Sequence, residues 1–164
     1  MFTDIVGYSA MANKDQKHAL ELLSTHDTII EPIISQNEGK VIKKIGDSIF
    51  AEFPNPQASI QAAQEVQTQL TTRNAVCNTI DQIQIRIGLH CGEVIRKDGD
   101  LFGHDVNLCS RIESISPSGG IAASAELVQC LINKPDSPTR EMGYVKLKNI
   151  VNPQQIYKVY LNHT

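Results

Sequence analysis

Two aspartates stand at positions where carboxylates could hold a cation. Asp4 lies in the apolar run of residues 2–6, and Asp47 follows Gly46 at a predicted turn. A carboxylate among apolar neighbours is costly unless a cation or hydrogen-bond donors balance its charge. Two such hard oxygen ligands suit Mg²⁺ or Mn²⁺, which take carboxylate and phosphate oxygens together. The simpler interpretation is that both carboxylates bond the backbone, and for Asp47 alone it is favoured because Gly-Asp is a common turn.

Asn107 and Arg111 form a second candidate pair, in a stretch whose apolar spacing predicts a helix over residues 106–115. Residues four apart project from the same helical face. An amide beside a guanidinium could stabilise the negative charge of a phosphate. A solvated helix surface explains the spacing equally well, so the pattern alone leaves both interpretations open.

The elements that must position these residues follow from apolar periodicity and turn residues. In the first part of the chain, strands are predicted over 2–6, 41–45, 48–53 and 83–89, and helices over 15–36 and 58–70. This β-α-β-β-α-β order is that of the ferredoxin-like α+β fold, an antiparallel sheet with helices on one face. The first strand of that fold pairs beside the hairpin, so Asp4 and Asp47 can converge at one edge of the sheet. Extra C-terminal elements are predicted as helices over 106–115 and 125–132 and strands over 121–123, 144–147 and 155–161.

Composition narrows the class of protein. The 164 residues are 41% hydrophobic and carry 15 basic and 18 acidic side chains. The resulting net charge of −3 lacks the basic excess typical of nucleic-acid-binding proteins. We expect one domain over residues 1–164, with Cys77, Cys91, Cys109 and Cys130 as reduced thiols because their spacing fits no zinc site. His90 and His104 lack partner spacing and are expected to be ordinary core or surface histidines.

Four segments together resemble the catalytic domains of class III adenylyl and guanylyl cyclases. Residues 2–9 resemble the metal-binding strand and following turn, and residues 43–47 the Lys-x-x-Gly-Asp hairpin. Residues 100–111 resemble the stretch ending in Asn-x-x-x-(Ser/Ala)-Arg, and residues 147–150 the closing Leu-Lys-Gly/Asn-Ile segment. Each segment alone is a weak signal, but the four occur in the family's order and spacing over residues 2–160.

The resemblance implies a role for each matching residue in converting ATP to cyclic AMP. It implies that Asp4 and Asp47 hold two divalent cations, Mg²⁺ or Mn²⁺, and that backbone amides of Ile5, Val6, Gly7 and Tyr8 contact the triphosphate. Lys43 and Asp100 would select adenine, with Asp98 as the alternative acid two residues away. Asn107 would orient the ribose, and Arg111 and Lys148 would neutralise charge on the phosphates.

The same resemblance implies a head-to-tail homodimer, because one chain carries both the metal aspartates and the residues that the family supplies from the partner protomer. Guanylyl cyclases usually carry an acidic residue in place of Lys43 and a small polar one in place of Asp100, so ATP is the expected substrate. A guanylate cyclase and a catalytically silent dimerisation or nucleotide-sensing module are the alternatives. Because the chain begins inside a predicted strand, we expect a cytoplasmic domain excised from a protein whose other segments supply regulation or membrane attachment.

Overall fold

The computed structural model describes residues 1–131 and 138–161, in which a seven-stranded sheet is the central element. The strand order is β2-β3-β1-β4-β7-β9-β8, and β5 pairs with β6 in a separate two-stranded ribbon. The strands are β1 (Phe2–Ile5), β2 (Lys40–Ile45), β3 (Ser48–Glu52), β4 (Ile85–Leu89), β5 (Ile95–Lys97), β6 (Asp100–Phe102), β7 (Ile121–Ser124), β8 (Thr139–Val145) and β9 (Gln154–Val159). The helices are α1 (Tyr8–Lys14), α2 (Gln16–Gln36), α3 (Pro56–Asn74), α4 (His104–Ile115) and α5 (Ala125–Gln129).

The predicted ferredoxin-like core is confirmed. The strands of the β-α-β-β-α-β unit lie in the order β2-β3-β1-β4, with β1 antiparallel to both of its neighbours. Residues of α2 and α3 share one apolar cluster with the strands, in which Ile30, Val66 and Ile87 are fully buried. The periodicity that predicted these elements therefore reflects burial against one face of the sheet.

Helix α4 differs from the expectation of helices on one face, since it packs on the opposite face of the sheet. Successive strand residues point to opposite faces. Ile121 and Ala123 belong to the α2–α3 cluster, whereas Ala122 packs with Ile112 of α4. A Cβ added to Gly88 would lie 2.3 Å from the backbone nitrogen of Glu113, so only glycine at this position lets α4 approach β4 closely. The sheet is also mixed, because β7 runs parallel to β4.

The element ends follow local capping. The side chain of Asp15 accepts a hydrogen bond from the N–H of His18, so α2 begins where the helix over 15–36 was predicted to begin, and the short helix α1 lies before it. Strand β8 ends at Val145, and Leu147 is buried in the following turn, closed by a bond from the Ile150 N–H to its carbonyl. Helix α5 ends at Gln129; Ile132, where the prediction ended it, lies outside the described residues.

In the two described ranges, we find no helix with the length and apolar character needed to cross a membrane.

Candidate active site

Asp4 lies on β1, on the face of the sheet that α4 covers. It is the register partner of Arg86 on β4, and its Oδ2 atom lies 3.5 Å from Nη1 of that arginine. The other carboxylate oxygen, Oδ1, is buried and has no hydrogen-bond partner among the residues that the structure describes. A buried carboxylate oxygen without a donor is costly, so this atom is available to a cation.

Asp47 lies at the turn of the β2–β3 hairpin, directly after Gly46, whose φ is +60°. Its Oδ2 atom accepts a hydrogen bond of 2.7 Å from the backbone N–H of Ile5. The contact joins the hairpin turn to the residue after Asp4, so both carboxylates lie at the C-terminal end of β1. Asp47 therefore makes the backbone hydrogen bond expected of a turn aspartate, and through it lies beside the strand end that carries Asp4.

This pair of carboxylates fits a divalent cation that takes oxygen ligands. The unpartnered Oδ1 of Asp4 and the negative charge of both groups are what such an ion requires. Over residues 1–131 and 138–161, no cluster of three or more His, Cys, Asp or Glu side chains could complete a metal shell. The remaining ligands would have to be water or phosphate oxygens, as is usual for Mg²⁺ beside a nucleotide.

Glu113 is a neighbour of this site that the sequence interpretation missed. Burial, followed by the neighbouring carboxylate of Asp4, raises the pKa of Glu113 to about 8. Glu113 is therefore mainly protonated near neutral pH when no cation is bound. The sequence signals were the position of Glu113 on the apolar side of α4 and that of Arg86 between two isoleucines of β4.

Lys43 and Asp100 are brought together from distant parts of the chain. The Nζ atom of Lys43 on β2 lies 2.7 Å from Oδ2 of Asp100 on β6. Lys43, and secondarily the N–H of Leu101, lower the pKa of the Asp100 carboxyl. Asp98 lies instead at the exposed turn between β5 and β6, with a φ of +53°. The arrangement offers a charged donor beside a charged acceptor.

The backbone amides that follow Asp4 are not equally available. The N–H of Ile5 donates to Asp47, and the N–H of Val6 donates to the carbonyl of Gln84 at 2.8 Å. Those of Gly7, with a φ of +72°, and Tyr8, the first residue of α1, donate to no other described residue. Of the four amides, these two remain free to bind an anion.

The remaining candidates lie on α4 and in the turn before β9. Asn107 is exposed on α4, and one turn later Arg111 has a buried Nε without a partner in the described part of the chain. Lys148 is exposed in the turn before β9, beside Asn149, whose φ of +61° is a conformation that glycine or asparagine adopts readily. Within the described ranges, none of Asn107, Arg111 and Lys148 forms a hydrogen bond or ion pair with Asp4 or Asp47.

Comparison with known proteins gives matches over most of the chain. Residues 1–163 match the family described as the adenylate and guanylate cyclase catalytic domain. A putative adenylate cyclase 3 of Rhizobium meliloti is 31% identical over 156 residues, which cover 94% of this chain and 26% of that protein. An adenylate cyclase of Streptomyces coelicolor is 26% identical over 85% of this chain and 35% of its own length. The chain thus spans about a quarter to a third of these relatives.

A solved structure agrees over the whole fold. The crystal structure of an adenylate/guanylate cyclase/hydrolase from Silicibacter pomeroyi superposes with a TM-score of 0.88 and 30% identity, covering 98% of this chain and 94% of that one. From the family match and this structural agreement, we conclude that the chain belongs to the class III adenylate and guanylate cyclase catalytic domain family.

Proposed function

We propose that this domain is an adenylate cyclase, which converts ATP to 3′,5′-cyclic AMP and pyrophosphate at sites shared by two copies of the chain. The observation that carries the proposal is the contact between Lys43 and Asp100 at 2.7 Å. Adenine presents an acceptor at N1 beside a donor at its 6-amino group, whereas guanine presents a carbonyl at position 6. Lys43 would donate to N1, and Asp100 would accept from the 6-amino group.

The metal-binding end of the site would be formed by Asp4 and Asp47, with two Mg²⁺ or Mn²⁺ ions. When bound, such ions would neutralise charge on the triphosphate and favour ionisation of the ribose 3′-hydroxyl. The free amides of Gly7 and Tyr8 would donate to phosphate oxygens, as backbone N–H groups do where a strand turns into a helix. These contacts would hold the triphosphate in place for reaction.

The chemistry is a single displacement at the α-phosphorus. The ribose 3′-oxygen attacks that phosphorus, the bond to the α–β bridging oxygen breaks, and pyrophosphate leaves with the bonding electron pair. The proton of the 3′-hydroxyl is released to solvent. Asn107 would orient the ribose, and Arg111 and Lys148 would stabilise negative charge on the phosphates as that bond breaks. Losing one such group typically lowers turnover on the order of 10²–10³-fold.

A head-to-tail, two-fold homodimer would bring the two sets of groups together at each substrate. Within the described residues, Asn107 and Arg111 form no hydrogen bond or ion pair with Asp4 or Asp47, although the reaction needs both sets at one substrate. If the aspartates of one protomer face α4 of its partner, two equivalent sites form. Three expectations stay predictions: one domain over residues 1–164, regulation by a fused domain, and a cytoplasmic location.

The direct test is the product formed by the purified domain, offered ATP and GTP separately with Mn²⁺ at high protein concentration. We expect cyclic AMP from ATP, and its loss in Asp47→Asn. This variant keeps an oxygen for the Ile5 N–H but removes the charge. Cyclic GMP as the main product would overturn the roles of Lys43 and Asp100. Nucleotide binding without any product would favour a silent sensing module.

A further inference from the structure

His90 lies immediately after β4, in a chain of hydrogen bonds that none of the assigned roles uses. Its side chain is only 3% exposed. Nδ1 lies 2.7 Å from the hydroxyl of Ser124, and Nε2 lies 2.7 Å from Oδ1 of Asp105. A lone buried histidine is usually an ordinary core residue, but this one joins three separate elements through both ring nitrogens.

The direction of the hydrogen bonds follows from the chemistry of the partners. The Asp105 carboxylate can only accept, so Nε2 of His90 carries the hydrogen toward it. In the neutral ring, Nδ1 accepts from the Ser124 hydroxyl, whose oxygen accepts from the N–H of Leu127 at the start of α5. Every polar atom in the chain of bonds has a partner, which makes the arrangement rigid.

Asp105 is the point at which these bonds reach the proposed catalytic helix. It lies in the first turn of α4, where the N-cap residue Gly103 provides no side-chain hydrogen bond. Its second oxygen accepts from the N–H of Glu93 at 3.0 Å. A Cβ on Gly92 would lie 2.3 Å from the Asp105 carboxyl carbon, so a side chain at position 92 would displace that carboxylate from its present position. The start of α4 is therefore held from outside the helix.

We infer that His90 is a positioning residue for Asn107 and Arg111, acting through Asp105 on the start of α4. Asn107 lies two residues after Asp105 and Arg111 one further turn along the same helix. A small rotation of the first turn would displace both groups from the substrate. Misplacement by about 1 Å costs on the order of 10²-fold in rate. His90 itself does not touch the substrate, and its positioning role rests on the proposed function.

Two amide variants separate this role from simple packing. The amide nitrogen of glutamine reaches about as far as Nε2 of histidine, whereas that of asparagine reaches only as far as Nδ1. His90→Gln therefore keeps a donor for Asp105, and His90→Asn does not. We expect kcat to fall roughly 10- to 100-fold in His90→Asn, with KM for ATP within about twofold of wild type, and to be largely retained in His90→Gln. Equal activity of the two variants would overturn the assignment.

Mixing variants then shows through which element His90 acts. A mixture of His90→Asn with Asp47→Ala should regain about a quarter of wild-type activity, because one site per mixed dimer has intact aspartates facing an intact α4. A mixture of His90→Asn with Asn107→Ala should regain none. The control is the mixture of Asp47→Ala with Asn107→Ala. If that control recovers activity, the reverse pattern, or recovery in neither of the two His90→Asn mixtures, would overturn the role of His90. Failure of the control would instead overturn the shared site and, with it, this inference.

Discussion

The side chains of Lys43 and Asp100 contact each other at 2.7 Å although they lie 57 residues apart. One belongs to β2 at the edge of the main sheet and the other to the β5–β6 ribbon, which a contact between Arg96 and Glu52 at 2.9 Å also fastens to the sheet. The two groups proposed to read the base are thus brought together by the fold.

Replacing both Lys43 and Asp100 should change the preference between ATP and GTP. The double variant Lys43→Glu with Asp100→Ser removes the donor for adenine N1 and the acceptor for the 6-amino group. We expect kcat/KM for ATP to fall by about 10²-fold or more, because adenine N1 and the 6-amino group would lose their hydrogen-bond partners. Product analysis with ATP and GTP measures the change. Asp98→Ser is the matched control, because Asp98 lies at the exposed turn and its loss should leave the preference unaltered.

The raised pKa of Glu113 predicts a pH-dependent stability in the absence of divalent cations. The folded state keeps a proton to about pH 8, whereas the unfolded chain releases it near the ordinary value of 4.5. The stabilisation is therefore complete below about pH 4.5 and is lost as the pH rises through about 8. Denaturant unfolding in EDTA should show the free energy of unfolding of the wild type decreasing relative to Glu113→Gln across this window.

Glu21→Gln, an exposed change on α2, is the control for that experiment and should follow the wild type. If Glu113→Gln had the same pH dependence as the wild type, the proton would not reside on Glu113.

Close contact between β4 and α4 predicts that Gly88→Ala is strongly destabilising. The added Cβ would lie 2.3 Å from the backbone nitrogen of Glu113, which cannot move without displacing α4. We expect a loss of about 1–3 kcal/mol in the free energy of unfolding, as for overpacked cores, together with loss of activity. Chemical denaturation measures the first and cyclic AMP formation the second. If Gly88→Ala were as stable as the wild type, the packing of α4 would not depend on its close approach to β4.

The ferredoxin-like core and its motif residues could be predicted because their signals are local. Apolar periodicity marks α2 and α3, and the Gly46-Asp47 turn marks the hairpin. The side of the sheet on which α4 packs could not be predicted from its own pattern, since an amphipathic helix fits either face. The absence of a side chain at Gly88 and the polar Arg86 between two isoleucines of β4 were the local signs.

The contacts around the candidate site depend on tertiary structure in the same way. Arg86 reaches Asp4 only through the register of β1 with β4, and Glu113 reaches it only because α4 crosses that face. His90 carried no spacing signal, because Asp105 and Ser124 lie 15 and 34 residues away. Pairs brought together by the fold leave no periodicity in the sequence.

The most direct test of the central claim is to mix two inactive variants, Asp47→Ala and Asn107→Ala, and to measure cyclic AMP formation from ATP. Random exchange of protomers places half of the chains in mixed dimers, each with one complete site, so about a quarter of wild-type specific activity should return. Recovery to that level would support both the reaction and the shared site. Activity no higher than that of either variant alone would contradict the account.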